Sequence, residues 1–156
     1  MPERTESPGP LSASRVLAIE TSCDESAAAL MDGPEYLLAS RVWSQAASHA
    51  PFGGVVPEMA SRQHGEILPK LVHDMLASLN VPVESIDLVA ATTGPGLPTA
   101  LLVGAAYAKG MAIGLGRPFL AINHVEGHLL SPFFAESVVP PHVGLVVSGG
   151  HTLLVD

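Results

Sequence analysis

A chain of 156 residues, almost half of them hydrophobic and with a formal charge of −8, is long enough for one domain with a buried core. Its seven Lys and Arg are scattered without a run, which argues against a self-sufficient nucleic-acid-binding face. If RNA is a substrate, most phosphate contacts must come from another segment or subunit. The single cysteine, Cys23, excludes an internal disulfide and fits a reducing cytoplasm; near a strand end it is expected to be a small buried residue rather than a nucleophile.

Residues 1–14 combine Pro, Ser and Gly with Glu3 and Glu6 and lack an apolar core, so they read as a disordered tail and not as a signal peptide. From Arg15 to Thr21 an apolar run reads as a buried strand, and Ser22 to Glu25 supplies a turn. Residues 26–31 and 36–43 form second and third strands across Asp32-Gly33-Pro34, which makes an antiparallel meander. His49 to Val56 is loop-like. Pro57 then opens a long helix at the position where a missing N–H costs nothing. Ala60, His64, Ile67, Leu68, Leu71, Val72, Met75, Leu76 and Leu79 recur at steps of three and four and mark its buried face. Pro69 is expected to kink it, and Asn80 with Pro82 to end it.

Ile86 to Thr93 is another strand, and Gly94-Pro95-Gly96-Leu97-Pro98-Thr99 turns the chain into an apolar helix. The span 97–116 is apolar enough to raise a membrane helix. Lys109 interrupts it and four glycines weaken it, which favours a helix buried between layers of a protein with no membrane contact. Phe119 to Asn123 is a fifth strand, followed by a helix that opens on His124. His142 to Ser148 is a sixth strand ending in Gly149-Gly150, with a seventh begun before Asp156. The order βββαβαβα, then a β-hairpin, is that of an α/β protein with a mixed sheet and helices on its faces.

Three stretches fall at strand tips, where open α/β sheets usually bind ligands. Glu20 to Glu25 offers hydroxyls, turn N–H groups and carboxylates that suit phosphate oxygens and a hydrated Mg²⁺; a polar turn capped by its own side chains has the same composition. Gly94-Pro95-Gly96 joins a strand to a helix N-terminus but lacks the Gly-Lys-Ser/Thr ending of a P-loop, so a tight turn is the better reading. Ser148-Gly149-Gly150-His151-Thr152 lets a phosphate or acyl group approach the backbone, or is simply a glycine hairpin.

Asn123 to His128 is the most informative stretch. One helical turn places His124 and His128 on the same face, where two neutral imidazoles reach one cation. Zinc peptidases carry the order His-Glu-x-x-His, with the base directly after the first histidine. Here Glu126 lies about 200° round the helix from His124, turned away from a shared cation. The pair is therefore an incomplete metal site without a peptidase base.

Taken together, Val16 to Glu25, Gly53 to Arg62, Thr93 to Leu97, Asn123 to His128 and Val147 to Thr152 resemble the bacterial tRNA N6-adenosine threonylcarbamoyltransferases, formerly described as O-sialoglycoprotein endopeptidases. The resemblance implies an actin-like ATPase architecture of two ribonuclease-H-like lobes. Residues 15–141 would be the first lobe with its metal-binding helix, and 142–156 the truncated start of the second. It implies transfer of a threonylcarbamoyl group from its adenylate to N6 of adenosine 37 in tRNAs reading codons that start with A. His124 and His128 match ligands of one divalent ion, iron or zinc. Val146, Val147, Ser148, Gly149 and Gly150 match the adenylate-binding segment, and Val146 stands where another branch has a coordinating tyrosine. Asp24 is the candidate for positioning or deprotonating the amine. The implied partners are tRNA, threonylcarbamoyl-adenylate, a paralogous first-lobe protein and a small ATPase subunit. A catalytically silent partner subunit, a metallopeptidase and a sugar or acetate kinase of the same superfamily are the competing readings.

Overall fold

A computed structural model of the chain describes residues 15–34, 36–134, 136, 138–148 and 152–155. The expected tail at 1–14 lies outside these, as do Gly149 and Gly150. Three antiparallel strands open the fold: β1 (Arg15–Glu20), β2 (Glu25–Asp32) and β3 (Tyr36–Ser44). After α1 (Ala46–His49) and a single 3-10 turn comes the long α2 (Pro57–Ser78), then β4 (Leu88–Gly94), α3 (Pro98–Leu115), β5 (Phe119–Asn123) and α4 (His124–Leu130). β4 runs parallel to β1, and β5 parallel to β4, giving the sheet order β3-β2-β1-β4-β5. This is the mixed sheet of a ribonuclease-H-like lobe. A separate hairpin, β6 (Gly144–Val147) with β7 (Thr152–Val155), packs against α4.

Strand alternation sorts the residues between the two faces of the sheet. Leu17 pairs with Leu30 on one side and Val89 on the other, and Ile19 with Ala28 and Ala91, so a row of buried apolar side chains crosses three strands. Leu68, Val72, Met75 and Leu76 of α2 close over that row, with Ala108 and Ala112 of α3 beside them. Each fully buried Leu or Val there contributes about 1.5–3 kcal/mol. The opposite face carries Ala18, Ala27, Ala29 and Ala90, which floor a shallow depression of about 170 Å³.

Two expectations are revised. The segment 49–56, expected to be loop-like, opens on the last residue of a helical turn, Ala46–His49, in which the Gln45 carbonyl accepts the N–H groups of Ser48 and His49 at 2.9 and 3.1 Å, and continues as a 3-10 turn over Ala50–Phe52. The helix expected from Pro57 runs through an exposed Pro69 to Ser78. The second revision concerns α3, which is not buried between layers. Only Ala100, Gly104, Ala108 and Ala112, four residues apart, are buried. Leu102 and Ile113 point outward, Ile113 at 82 % exposure. By length and composition α3 could cross a membrane, but its small-residue stripe lies on the sheet and its Lys109 ammonium sits 5.3 Å over the Phe119 ring.

Candidate active site

The parallel arrangement of β1, β4 and β5 brings their carboxyl ends to one edge. Ile19 aligns with Ala91, and Ala91 with Ala121, so Glu20, Thr92 and Ile122 occupy the next row. One step beyond Ile122 the strand stops at Asn123. Its side-chain oxygen accepts the Val125 and Glu126 N–H groups at 2.9 and 3.2 Å, which ends β5 and starts α4 in a single residue. Such a cap is worth about 1 kcal/mol. It also sets the phase of the helix, and with it the direction of both histidines.

His124 and His128 face one another across that turn. Their Nε2 atoms are 3.2 Å apart and their rings cross at 86° with centroids 4.5 Å apart. Two imidazole nitrogens bound tetrahedrally at zinc-like bond lengths stand about 3.3–3.4 Å apart. The pair is thus spaced for one first-row cation, with no rearrangement of the helix. Among the described residues no third His, Cys, Asp or Glu joins them. Glu126 is exposed on the same short helix.

A cavity of about 220 Å³ opens beside the histidines, and Glu20 and Thr92 form its wall. Neither was expected from the sequence to face His124. Glu20 Oε2 lies 3.4 Å from His124 Nδ1, and the Ser22 hydroxyl lies 3.1 Å from the same nitrogen. Partial burial disfavours the charged form of Glu20, but hydrogen bonds from Ser22 and Thr92, with a smaller contribution from the neighbouring His124, more than offset it and hold the carboxyl below its usual range. The signal available in sequence was topological: residues at the ends of parallel strands two places apart in a sheet share an edge.

The turn after β1 is built rigidly. Thr21 donates to the Ala100 carbonyl at 2.9 Å, and the Leu97 N–H donates to the Ser22 carbonyl at 2.8 Å. That second bond occupies an N–H at the start of α3 and supports the tight-turn reading of Gly94-Pro95-Gly96, which contains a cis Gly94-Pro95 peptide. Behind the turn lies a wholly buried polar cluster. His64 Nε2 is 3.0 Å from the Cys23 carbonyl, which can only accept, so that nitrogen carries the proton and Nδ1 accepts from the Ser26 hydroxyl at 2.8 Å. Gln45, also buried, donates to the Ala60 carbonyl at 3.3 Å and accepts from His49 Nε2 at 2.9 Å.

Asp24 sits half-buried on this turn, its carbonyl taking the Gln45 N–H at 2.9 Å and its carboxylate hydrogen-bonded to the Cys23 thiol. Cys23 itself is exposed, contrary to expectation, because the turn faces its side chain outward while its carbonyl faces His64. Partial burial of the thiol and the neighbouring Asp24 carboxylate raise its pKa to about 11, which leaves it a poor nucleophile at neutral pH. Val146 and Val147 lie on β6 opposite Leu153 and Thr152, and Ser148 follows them in an exposed position.

Residues 36–155 match the family model described as TsaD, tRNA N6-adenosine threonylcarbamoyltransferase. The enzyme of that name from Pelobacter propionicus is 54 % identical over 139 residues, covering 89 % of this chain and 41 % of the relative. Those from Bartonella bacilliformis and Clostridium botulinum are 48 % and 46 % identical, over 90 % of this chain and 40 % and 42 % of their own lengths. The chain therefore spans about two fifths of the length of these curated relatives. Among solved structures, YeaZ from Pseudomonas aeruginosa superposes with a TM-score of 0.57 at 26 % identity, covering 79 % of this chain and 51 % of that one. A protein described as similar to peptidase YeaZ, from the same organism, reaches 0.60 over 92 % of this chain and 64 % of its own at 22 % identity, a likeness of fold.

Proposed function

The chain belongs to the tRNA N6-adenosine threonylcarbamoyltransferase family, and we propose that it is the first lobe of an enzyme that moves a threonylcarbamoyl group from its adenylate onto N6 of adenosine 37 in tRNAs reading codons that start with A. The observation that carries this reading is the convergence of His124 and His128 at the carboxyl edge of three parallel strands. Residues 142–156 open the second lobe, and the enzyme works in the reducing cytoplasm, in keeping with a lone Cys23.

His124 and His128 would hold one divalent ion, iron or zinc, for which the Val146 side chain offers no donor atom. When bound, that ion supplies positive charge beside the attacked carbonyl. Ser148 and the backbone N–H groups of Gly149 and Gly150 hold the acyl-phosphate end of the adenylate. Asp24, fixed through its carbonyl by Gln45, orients the adenosine amine and takes its proton as the new carbon–nitrogen bond forms and AMP departs. With the acidic balance of this lobe, tRNA phosphates are met elsewhere, on the rest of the polypeptide, on a paralogous partner of the same fold or on a small ATPase subunit.

The competing reading, a catalytically silent subunit, is disfavoured by 46–54 % identity to relatives named as transferases and by retention of the histidine pair. The test is mass spectrometry of nucleosides from unmodified tRNA incubated with threonylcarbamoyl-adenylate and the full-length protein. The modified adenosine is expected with the wild type and absent after His124→Ala or His128→Ala. Asp24→Ala should slow transfer, and an unchanged rate would remove Asp24 from the mechanism. The isolated 156 residues should transfer nothing, whereas proteolysis abolished by His124→Ala would revive the peptidase reading.

A further inference from the structure

His124 has its two ring nitrogens in opposite surroundings. Nε2 faces His128 Nε2 at 3.2 Å, toward the cavity, while Nδ1 faces the Ser22 hydroxyl at 3.1 Å and Glu20 Oε2 at 3.4 Å. A neutral imidazole has one proton and one lone pair, and the partner of one nitrogen decides which the other presents. An ionised carboxylate can only accept. The Ser22 hydroxyl is also hydrogen-bonded to Glu20, so its proton is committed to the carboxylate and its lone pair is left for Nδ1–H. Both neighbours of Nδ1 therefore ask for a proton on that nitrogen.

The arrangement is held from behind. The Ser22 N–H donates to Glu20 Oε1, the Ser22 carbonyl accepts from Leu97, and Thr92 hydrogen-bonds the same carboxylate. Ser22 is 3 % exposed and Thr92 7 %, so neither has an alternative partner in bulk water. Strand alternation places Glu20 on the open face of β1 in the row of Thr92 and Ile122, directly beneath the start of α4.

We infer that Glu20, acting directly and through the Ser22 hydroxyl, fixes neutral His124 as its Nδ1–H tautomer and so keeps the Nε2 lone pair aimed at the point it shares with His128. Glu20 is a positioning residue: it touches the ligand and not the cation. The inference rests on the proposed metal role of the histidine pair for its consequence, though the tautomer itself exists in the metal-free chain. Carboxylates in this relation to a metal-bound histidine raise its basicity and set its ring orientation, and their removal typically costs 10- to 100-fold in affinity.

The test uses the full chain labelled with ¹⁵N-histidine. Long-range ¹H–¹⁵N correlation on metal-free protein, at a pH where His124 is neutral, should place the proton on Nδ1 in the wild type. In Glu20→Ala it should shift wholly or partly to Nε2, because the Ser22 hydroxyl is then released to donate. A wild-type proton on Nε2, or a tautomer unmoved in Glu20→Ala, overturns the inference. In parallel, Zn²⁺ affinity by chelator competition should fall about 10- to 100-fold in Glu20→Ala. Wild-type affinity in that variant also overturns it. If the wild type binds neither Zn²⁺ nor Fe²⁺, the metal reading fails and the tautomer measurement alone decides the role of Glu20. Glu20→Gln, which keeps the shape and removes the charge, is the variant read if Glu20→Ala does not fold, with a loss near tenfold expected.

Discussion

Two glycines on α3 should answer the same substitution with opposite signs. Gly110 faces open space, with no heavy atom within 4 Å of where a Cβ would stand. Gly110→Ala should therefore recover only the helix propensity difference, a gain of about 0.5–1 kcal/mol. At Gly104 the added Cβ would fall well inside contact of Thr21 Oγ1, with the Thr21 Cβ and Cγ2 at 3.2 Å. Thr21 is 1 % exposed and its hydroxyl holds the Ala100 carbonyl at 2.9 Å, so it has no free space to move into. Overpacking costs about 1–3 kcal/mol and disruption of the buried hydrogen bond about 1–3 more. Against a propensity gain of about 1 kcal/mol, Gly104→Ala should lose about 1–5 kcal/mol net. Urea unfolding followed by circular dichroism reads both midpoints at constant slope. Adding Thr21→Ala should relieve most of the Gly104→Ala penalty, a coupling of about 1 kcal/mol or more. If Gly104→Ala stabilises the chain as Gly110→Ala does, the close approach of α3 to β1 is wrong, and with it the anchoring of the turn that carries Ser22 and Asp24.

Asn123→Ala should cost about 1 kcal/mol of stability through the lost cap. It should also speed amide exchange at Val125 and Glu126, the two N–H groups the side chain holds, and weaken metal binding by misphasing the histidines. Gly96→Ala would set a Cβ 2.6 Å from the Ser22 carbonyl oxygen, which is backbone and cannot swing aside. A loss of about 1–3 kcal/mol is expected in urea unfolding. The Cys23 thiol, with its pKa raised to about 11, should alkylate with iodoacetamide at pH 8 about a hundredfold more slowly than a free thiol, the rate climbing until the pH passes that value. Asp24→Asn should speed it by removing the adjacent charge; an unchanged rate would exclude that cause.

The meander, the buried face of α2 and the β5–α4 junction were legible because each depends on local rules. Alternation, a period of 3.6 and a capping Asn all act within a few residues. The histidine pair was legible for the same reason, since four residues on a helix share a face whatever surrounds them. The exposed outer face of α3 was not, because apolar composition states what a helix can bury and not what is present to cover it. Nor could the outward turn of Cys23 be read, since it follows from the bond that draws its carbonyl to His64, 41 positions along the chain.

The sequence by itself determined the family, the order of elements and the histidine pair whose Nε2 atoms meet across one helical turn. Tertiary structure alone decided what stands behind them. Glu20 and His124 are 104 residues apart, and they meet because two parallel crossovers return β4 and β5 to the same side of β1 with their carboxyl ends aligned. Their 3.4 Å contact depends on that alignment to within a fraction of an ångström, and strand register, not residue spacing, supplies it.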